Sequence, residues 1–173
     1  DPLPYFEEPT ESPFRTPELF EQYPFVLATG ARSWEFFHSE HRQIPYLRQL
    51  TPDPWVQIHP EGAAAKNISE GDWVWTDNHR GRARQRARVT YEVHKGTIAA
   101  QHGWWFPEED PEFPHLYGNW KCNINSLVPH SRNGKLGFGA GHVCMAENII
   151  NQFFHNSNKP CVFESSICVF LQT

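Results

Sequence analysis

Tyr23-Pro-Phe-Val-Leu-Ala-Thr-Gly-Ala-Arg-Ser-Trp-Glu-Phe-Phe-His-Ser-Glu-His-Arg42 is the stretch from which the rest of the chain is read. Its apolar run, Phe25 to Ala28, has the length and polar ending of a buried strand. Thr29-Gly30 predicts the end of that strand, and Gly30 lets backbone N–H groups approach a ligand closely. Arg32, Ser33, His38, Ser39, His41 and Arg42 follow, six groups able to meet phosphate or a polar ring. A strand that stops in a glycine turn and opens into donors is a candidate anion site. The same residues also describe a plain strand, turn and solvated loop.

The chain has 173 residues, room for one domain with a substantial core. Its net charge is −5, and residues 1–22, with six acids against one arginine, carry all of it. The remainder is near neutral, which argues against a polyanion-binding protein. No apolar run approaches the roughly 18 residues of a membrane span, and no signal-peptide pattern is present. Cys122, Cys144, Cys161 and Cys168 lack the C-x-x-C spacing of zinc or iron–sulfur sites. Reduced, buried thiols are expected. His38-x-x-His41 offers two imidazoles but no evident third ligand, so no metal site is assigned.

Three regions are expected: a proline-rich extended arm over 1–22, a barrel over 23–150, and an extension of unassigned role over 151–173. Residues 44–50 form a short amphipathic segment, and Trp55 to Ile58 alternate as a strand. Pro60 to Ile68 reads as a short helix with proline in its first turn. Ser69-Glu-Gly-Asp72 is a turn, with Gly71 making the bend and Asp72 capping it. A strand begins at Trp73, Asp77 to Gly81 turns, and Ala83 to Val93 returns as a second strand. On it Arg82, Arg84, Arg86 and Arg88 share one face, and Ala83, Gln85, Ala87 and Val89 the other. Such a ladder invites a nucleic-acid reading, but no aromatics are interleaved with it and the net charge is negative.

Thr97 to Gln101 is a further strand leading into His102-Gly-Trp-Trp105, where two tryptophans after a glycine make a flat apolar wall with N–H donors. One of the two is expected to be core. Asn123 and Asn125 follow, offering donors and acceptors that suit a polar ring or cap turns. The glycines of 134–141 do not have dinucleotide-fingerprint spacing. No Walker motif, G-x-S-x-G, H-E-x-x-H or clear triad occurs.

Taken together, Thr29-Gly-Ala-Arg32 with Phe37-His-Ser-Glu-His-Arg42, the proline-led helix with Gly71-Asp72, His102-Gly-Trp-Trp105 and Asn123-Ile-Asn125 occur in a characteristic order. Over roughly residues 22–147 the chain resembles the C-terminal molybdopterin-dinucleotide-binding domain of the dimethyl sulfoxide reductase family. The resemblance implies a mainly β fold, a double-psi β-barrel with a few short helices. It implies molybdopterin guanine dinucleotide as ligand, with molybdenum or tungsten held by N-terminal catalytic domains of a parent oxidoreductase, in a prokaryotic cytoplasm or periplasm. Thr29, Gly30, Arg32, Ser33, Phe37, His38, Ser39 and Arg42 are then expected at the cofactor. His102, Gly103, Trp104, Trp105, Asn123, Asn125 and His142 join them.

The family's lysine near the last strand is missing here, where His142-Val-Cys144 stands instead. The arginine hairpin is expected to face away from the pterin. Without the family's metal ligand or iron–sulfur cysteines, the isolated chain is expected to fold but to have no oxidoreductase activity. The competing readings are a free-standing nucleotide- or anion-binding barrel, a nucleic-acid module using the arginine ladder, and a hydrolase or decarboxylase on a similar barrel.

Overall fold

A computed structural model describes residue 6, residues 8–129, and the backbone of residues 143–146 and 149–151. The predicted loop over 134–141, His142 and the extension beyond residue 151 lie outside the described residues. Seven strands form one sheet: β1 Phe25–Ala31, β2 Trp55–Ile58, β3 Trp73–Asn78, β4 Gly81–Val89, β5 Thr97–Gln101, β6 Val143–Ala146 and β7 Ile149–Asn151. Their order is β6-β1-β5-β2-β4-β3-β7. β3 also approaches β6 from across the sheet, so the sheet curls into a half-barrel. Two pairs are parallel, β1 with β5 and β2 with β4, and the other neighbours are antiparallel. The mainly β class with a few short helices is therefore what the chain adopts.

The core follows from strand alternation. In β3, Val74 and Thr76 are buried between the half-buried Trp73, Trp75 and Asp77. In β4, Ala83, Gln85 and Ala87 point inward and the arginines outward. Alanines inside β4 leave room for Ile124 and Leu127, which join Leu27, Val56, Ile58 and Ile98 in the main core. The arginine face is not bare. Arg84 and Arg86 stack 4.5 and 4.3 Å over the Trp73 ring, Arg82 4.9 Å over Trp75, and Arg88 4.2 Å over Trp55. The aromatics absent from the ladder's own sequence come from the paired strands, since Trp73 and Trp55 both stand opposite Arg86.

Several boundaries differ from the expectations. β1 does not stop at Thr29-Gly30 but continues to Ala31 across an irregularity in its pairing. Gly30 has open space where a Cβ would lie, so neither crowding nor a turn demands glycine there. β4 ends at Val89 because β2, its parallel partner, ends at Ile58, just before His59-Pro60. The proline-led helix, α3, spans Pro60–Ala65, with the His59 ring accepting from Glu61 N. Asn67, at φ 54°, turns the chain out of the helix before Ile68. Asp72 Oδ2 accepts from Ser69 N at 2.8 Å, as a turn cap.

Part of the arm read as extended is helical. α1 spans Pro17–Gln22, its proline in the first turn where no N–H is needed. The arm is also held down: Glu11 is buried and receives Arg80 Nη1 at 3.1 Å from the β3–β4 turn. A second short helix, α2, covers Pro45–Leu50. No helix among the described residues is long and apolar enough to cross a membrane.

Candidate functional site

Parallel pairing of β1 with β5 builds the site. Ala31 stands opposite Gln101, so both strands run out at the same edge and release Arg32-Ser33 beside His102-Gly103. Residues some seventy positions apart in sequence thereby start adjacent loops. Gln101 Nε2 donates to Ser33 Oγ at 2.9 Å, tying the two exits together.

The loop over 33–42 is then folded back onto residues 102–105. His38, at φ 49°, brings its Nδ1 to 3.3 Å from His102 Nε2. Gly103, at φ 64°, lies under Ser39: a Cβ there would come 3.3 Å from the Ser39 Cβ. This glycine meets both a conformational and a steric demand. Trp105 Nε1 donates to Ser39 O.

Below the loop, Arg42 is buried to 1% exposure. Its guanidinium lies 4.0 Å over the Phe36 ring and 4.4 Å over Trp104, and Nη2 donates to His38 O at 2.9 Å. Burial, followed by repulsion from Arg48, lowers its pKa to about 10, so it remains charged at neutral pH.

These groups leave a narrow cleft. One side is formed by Ala31, Arg32 and Ser33, the other by His38, Gln101 and His102, and its floor by Phe36 and Arg42. Arg32 is exposed and, among the described residues, makes no ion pair. Its nearby acid, Glu35, accepts instead from the Thr51 hydroxyl at 3.0 Å. Burial holds His102 below the ordinary histidine range, helped by the adjacent Arg32 and His38. A neutral His102 can share one hydrogen with His38. The cleft thus presents a guanidinium, a hydroxyl and two imidazoles without an opposing carboxylate, which suits an anionic or oxygen-rich ligand.

The remaining expected site residues divide. Phe37 is exposed and meets the His38 ring edge-on, with centroids 4.6 Å apart. Thr29 is buried with its hydroxyl unpartnered, and Gly30 is exposed above it. Trp104 is fully buried against Phe36, Phe106 and Cys122, while Trp105 is half-buried and packs on Tyr117. Of the tryptophan pair, one is core and one is a loop anchor.

Asn123 spends its amide locally, accepting from Asn125 N at 3.0 Å and donating to Asn119 Oδ1 at 2.9 Å. Asn125 is exposed. Their segment is joined to the cleft's rear wall by Cys122, which packs on Trp104 and whose thiol burial pushes up to about 12. Among the described residues no three His, Cys, Asp or Glu side chains gather to hold a metal ion.

Sequence reading did not single out Gln101, Gln85 or Phe36. Gln85 carries a signal: it is a polar residue on the inward face of β4, flanked by two alanines. Its Nε2 donates to Gln101 O at 2.8 Å and Cys122 O at 3.2 Å, joining β4, β5 and the asparagine segment.

Fold and cleft together define a β domain with donor-bearing residues along one edge. Residues 25–142 match the family described as the molydopterin dinucleotide binding domain. The chain is 42% identical over 129 residues to dopamine dehydroxylase of Eggerthella lenta, covering 74% of this chain and 12% of that protein. It is 36% identical over 110 residues to acetylene hydratase of Syntrophotalea acetylenica, covering 64% and 15%. Its structure resembles that of acetylene hydratase from Pelobacter acetylenicus, with a TM-score of 0.76 and 28% identity over 87% of this chain and 21% of the other. The chain belongs to the molybdopterin-dinucleotide-binding domain family of the dimethyl sulfoxide reductase class, whose cofactor is molybdopterin guanine dinucleotide. It spans 12–15% of the length of these curated relatives.

Proposed function

We propose that this chain is the C-terminal cofactor domain of a molybdenum- or tungsten-dependent oxidoreductase, and that it grips the dinucleotide through the cleft between the β1 and β5 exits. The carrying observation is the Ala31–Gln101 register, which sets Arg32 and Ser33 beside His102. The charge of the cofactor supports this reading: Arg32 carries an uncommitted charge and no carboxylate lines the narrow cleft, while Glu35 and Glu92 line the wider hollow on the other side of Arg32. Arg32 offers two parallel N–H groups to a phosphate. Ser33 and the His38–His102 pair supply further polar contacts. Phe37, Ser39, Gly103 and Trp105 shape the loops that carry these groups, and Thr29 and Gly30 lie in the β1 strand that leads into them. Arg42 and Trp104 hold the loop from beneath. Asn125, exposed beside the turn that Asn123 caps, is proposed to meet the pterin's edge, and His142, outside the described residues, is proposed at the same cofactor.

When bound, the metal–pterin group supplies the redox chemistry. This chain's residues contribute binding and orientation, and the isolated chain turns over no substrate. The test is composition of the full-length protein that contains this chain. Purified protein should release pterin and GMP and contain molybdenum or tungsten. Protein that is fully folded yet free of pterin overturns the reading.

A further inference from the structure

Behind the cleft runs a chain of hydrogen bonds. Gln85 and Gln101 are buried, at 0% and 2% exposure. Gln85 Nε2 faces two carbonyl oxygens, Gln101 O and Cys122 O, and so acts only as a donor. It pins the backbone of Gln101 at the end of β5. Gln101 Nε2 in turn donates to Ser33 Oγ. A hydroxyl that accepts from an amide keeps its own hydrogen for another partner. Ser33 is half-buried and lines the cleft next to Arg32.

Both amides also leave an acceptor unmade, since Gln85 Oε1 and Gln101 Oε1 are buried without partners. Burying a polar atom unpaired costs stability. At Gln85 that cost is offset by the two backbone carbonyls its Nε2 satisfies, whereas the Gln101 amide donates to Ser33 Oγ.

We propose that Gln101 is a positioning residue: it fixes the Ser33 hydroxyl as a hydrogen-bond donor toward a phosphoryl oxygen of the bound dinucleotide, with Gln85 holding Gln101 in place. The inference rests on the proposed function, that the Arg32 cleft grips this cofactor. A phosphoryl oxygen is assigned because Arg32, which makes no ion pair among the described residues, stands next to Ser33 on the cleft wall. The direction of these hydrogen bonds matters as much as their presence. In Gln101→Glu the new carboxylate accepts the Ser33 hydrogen, which turns the serine's lone pairs toward the anion and adds a like charge behind them.

The test measures pterin retention by the full-length protein, and melting of its apo form, for Gln101→Leu, Gln101→Glu and Ser33→Ala. Retention falls roughly tenfold in Gln101→Leu and in Ser33→Ala, the loss of one hydrogen bond to an anion. It falls further in Gln101→Glu, and the double variant Ser33→Ala/Gln101→Leu is no weaker than either single. Apo melting is unchanged in Gln101→Leu and Ser33→Ala. With inorganic pyrophosphate as probe, the apo wild type melts higher and apo Gln101→Glu does not shift. Wild-type retention by Gln101→Glu, or losses that track apo destabilisation, overturns the inference. Loss of pterin in Arg32→Ala with full retention in every Gln101 variant overturns it while the proposed function stands. Full retention in Arg32→Ala and the Gln101 variants alike overturns both.

Discussion

His38 Nδ1 lies 3.3 Å from His102 Nε2, a contact between rings 64 positions apart that closes the loop after β1 onto the end of β5. It requires at least one neutral ring, because two imidazolium ions would repel. Burial, Arg32 and His38 all push His102 below its ordinary pKa. The unfolded chain therefore binds a proton at this position at higher pH than the folded one does. Stability from this group is present above the unfolded value, near 6.5, and is lost as pH falls toward the lowered folded value. The protection factors of amides in the 37–41 loop should fall as pH drops below about 6.5, and His102→Gln should flatten that dependence. A profile identical in the variant contradicts this account.

Arg42 is the loop's floor rather than an exposed ligand. Arg42→Ala removes a desolvated cation from between two rings, together with the hydrogen bond to His38 O. The expected loss is about 2–4 kcal/mol by urea unfolding. Arg42→Lys should recover little of it, because an ammonium cannot stack as a planar guanidinium does.

Gly103→Ala should cost about 1–2 kcal/mol from left-handed backbone alone, and more from contact with Ser39. Pterin retention should fall with it, because Ser39 and His38 move together. Gly30→Ala, where open space surrounds the position, is the matched control and should be close to neutral.

At the opposite end of the chain, Glu11→Gln should loosen the arm. Glu11 is largely buried and paired with Arg80. Limited proteolysis should then cut within residues 8–16 faster than in the wild type. An unchanged cleavage rate would show that the arm is held by its other contacts.

The strands were legible where period-two alternation was clean, as in Trp73 to Thr76 and along the arginine ladder, but the turn expected over Asp77 to Gly81 is narrower, with Asp77, Asn78 and Gly81 in the strands. The helix after Pro60 was legible from its proline and alanines. What escaped was set by long-range pairing. β1 runs past Gly30 because Ala31 finds a partner in Gln101, which local sequence does not reveal. The stacking of Arg82 to Arg88 on tryptophans depends on which strands become neighbours. The motifs pointed to Arg32, Ser33, His38 and His102, and these line one cleft. Gln101 escaped because a glutamine at a strand end has no local pattern, and its meaning comes from the serine it faces across β1.

The central claim is that Arg32, not the arginine ladder, holds the cofactor. Pterin content of the full-length protein, compared between Arg32→Ala and Arg82→Ala, tests it most directly. Arg82 is exposed and stacked over Trp75, and its loss should leave pterin at the wild-type level. Arg32→Ala should remove a charge-assisted contact of about 1.5–3 kcal/mol, a roughly tenfold to hundredfold weakening. Equal pterin retention by the two variants would contradict the account.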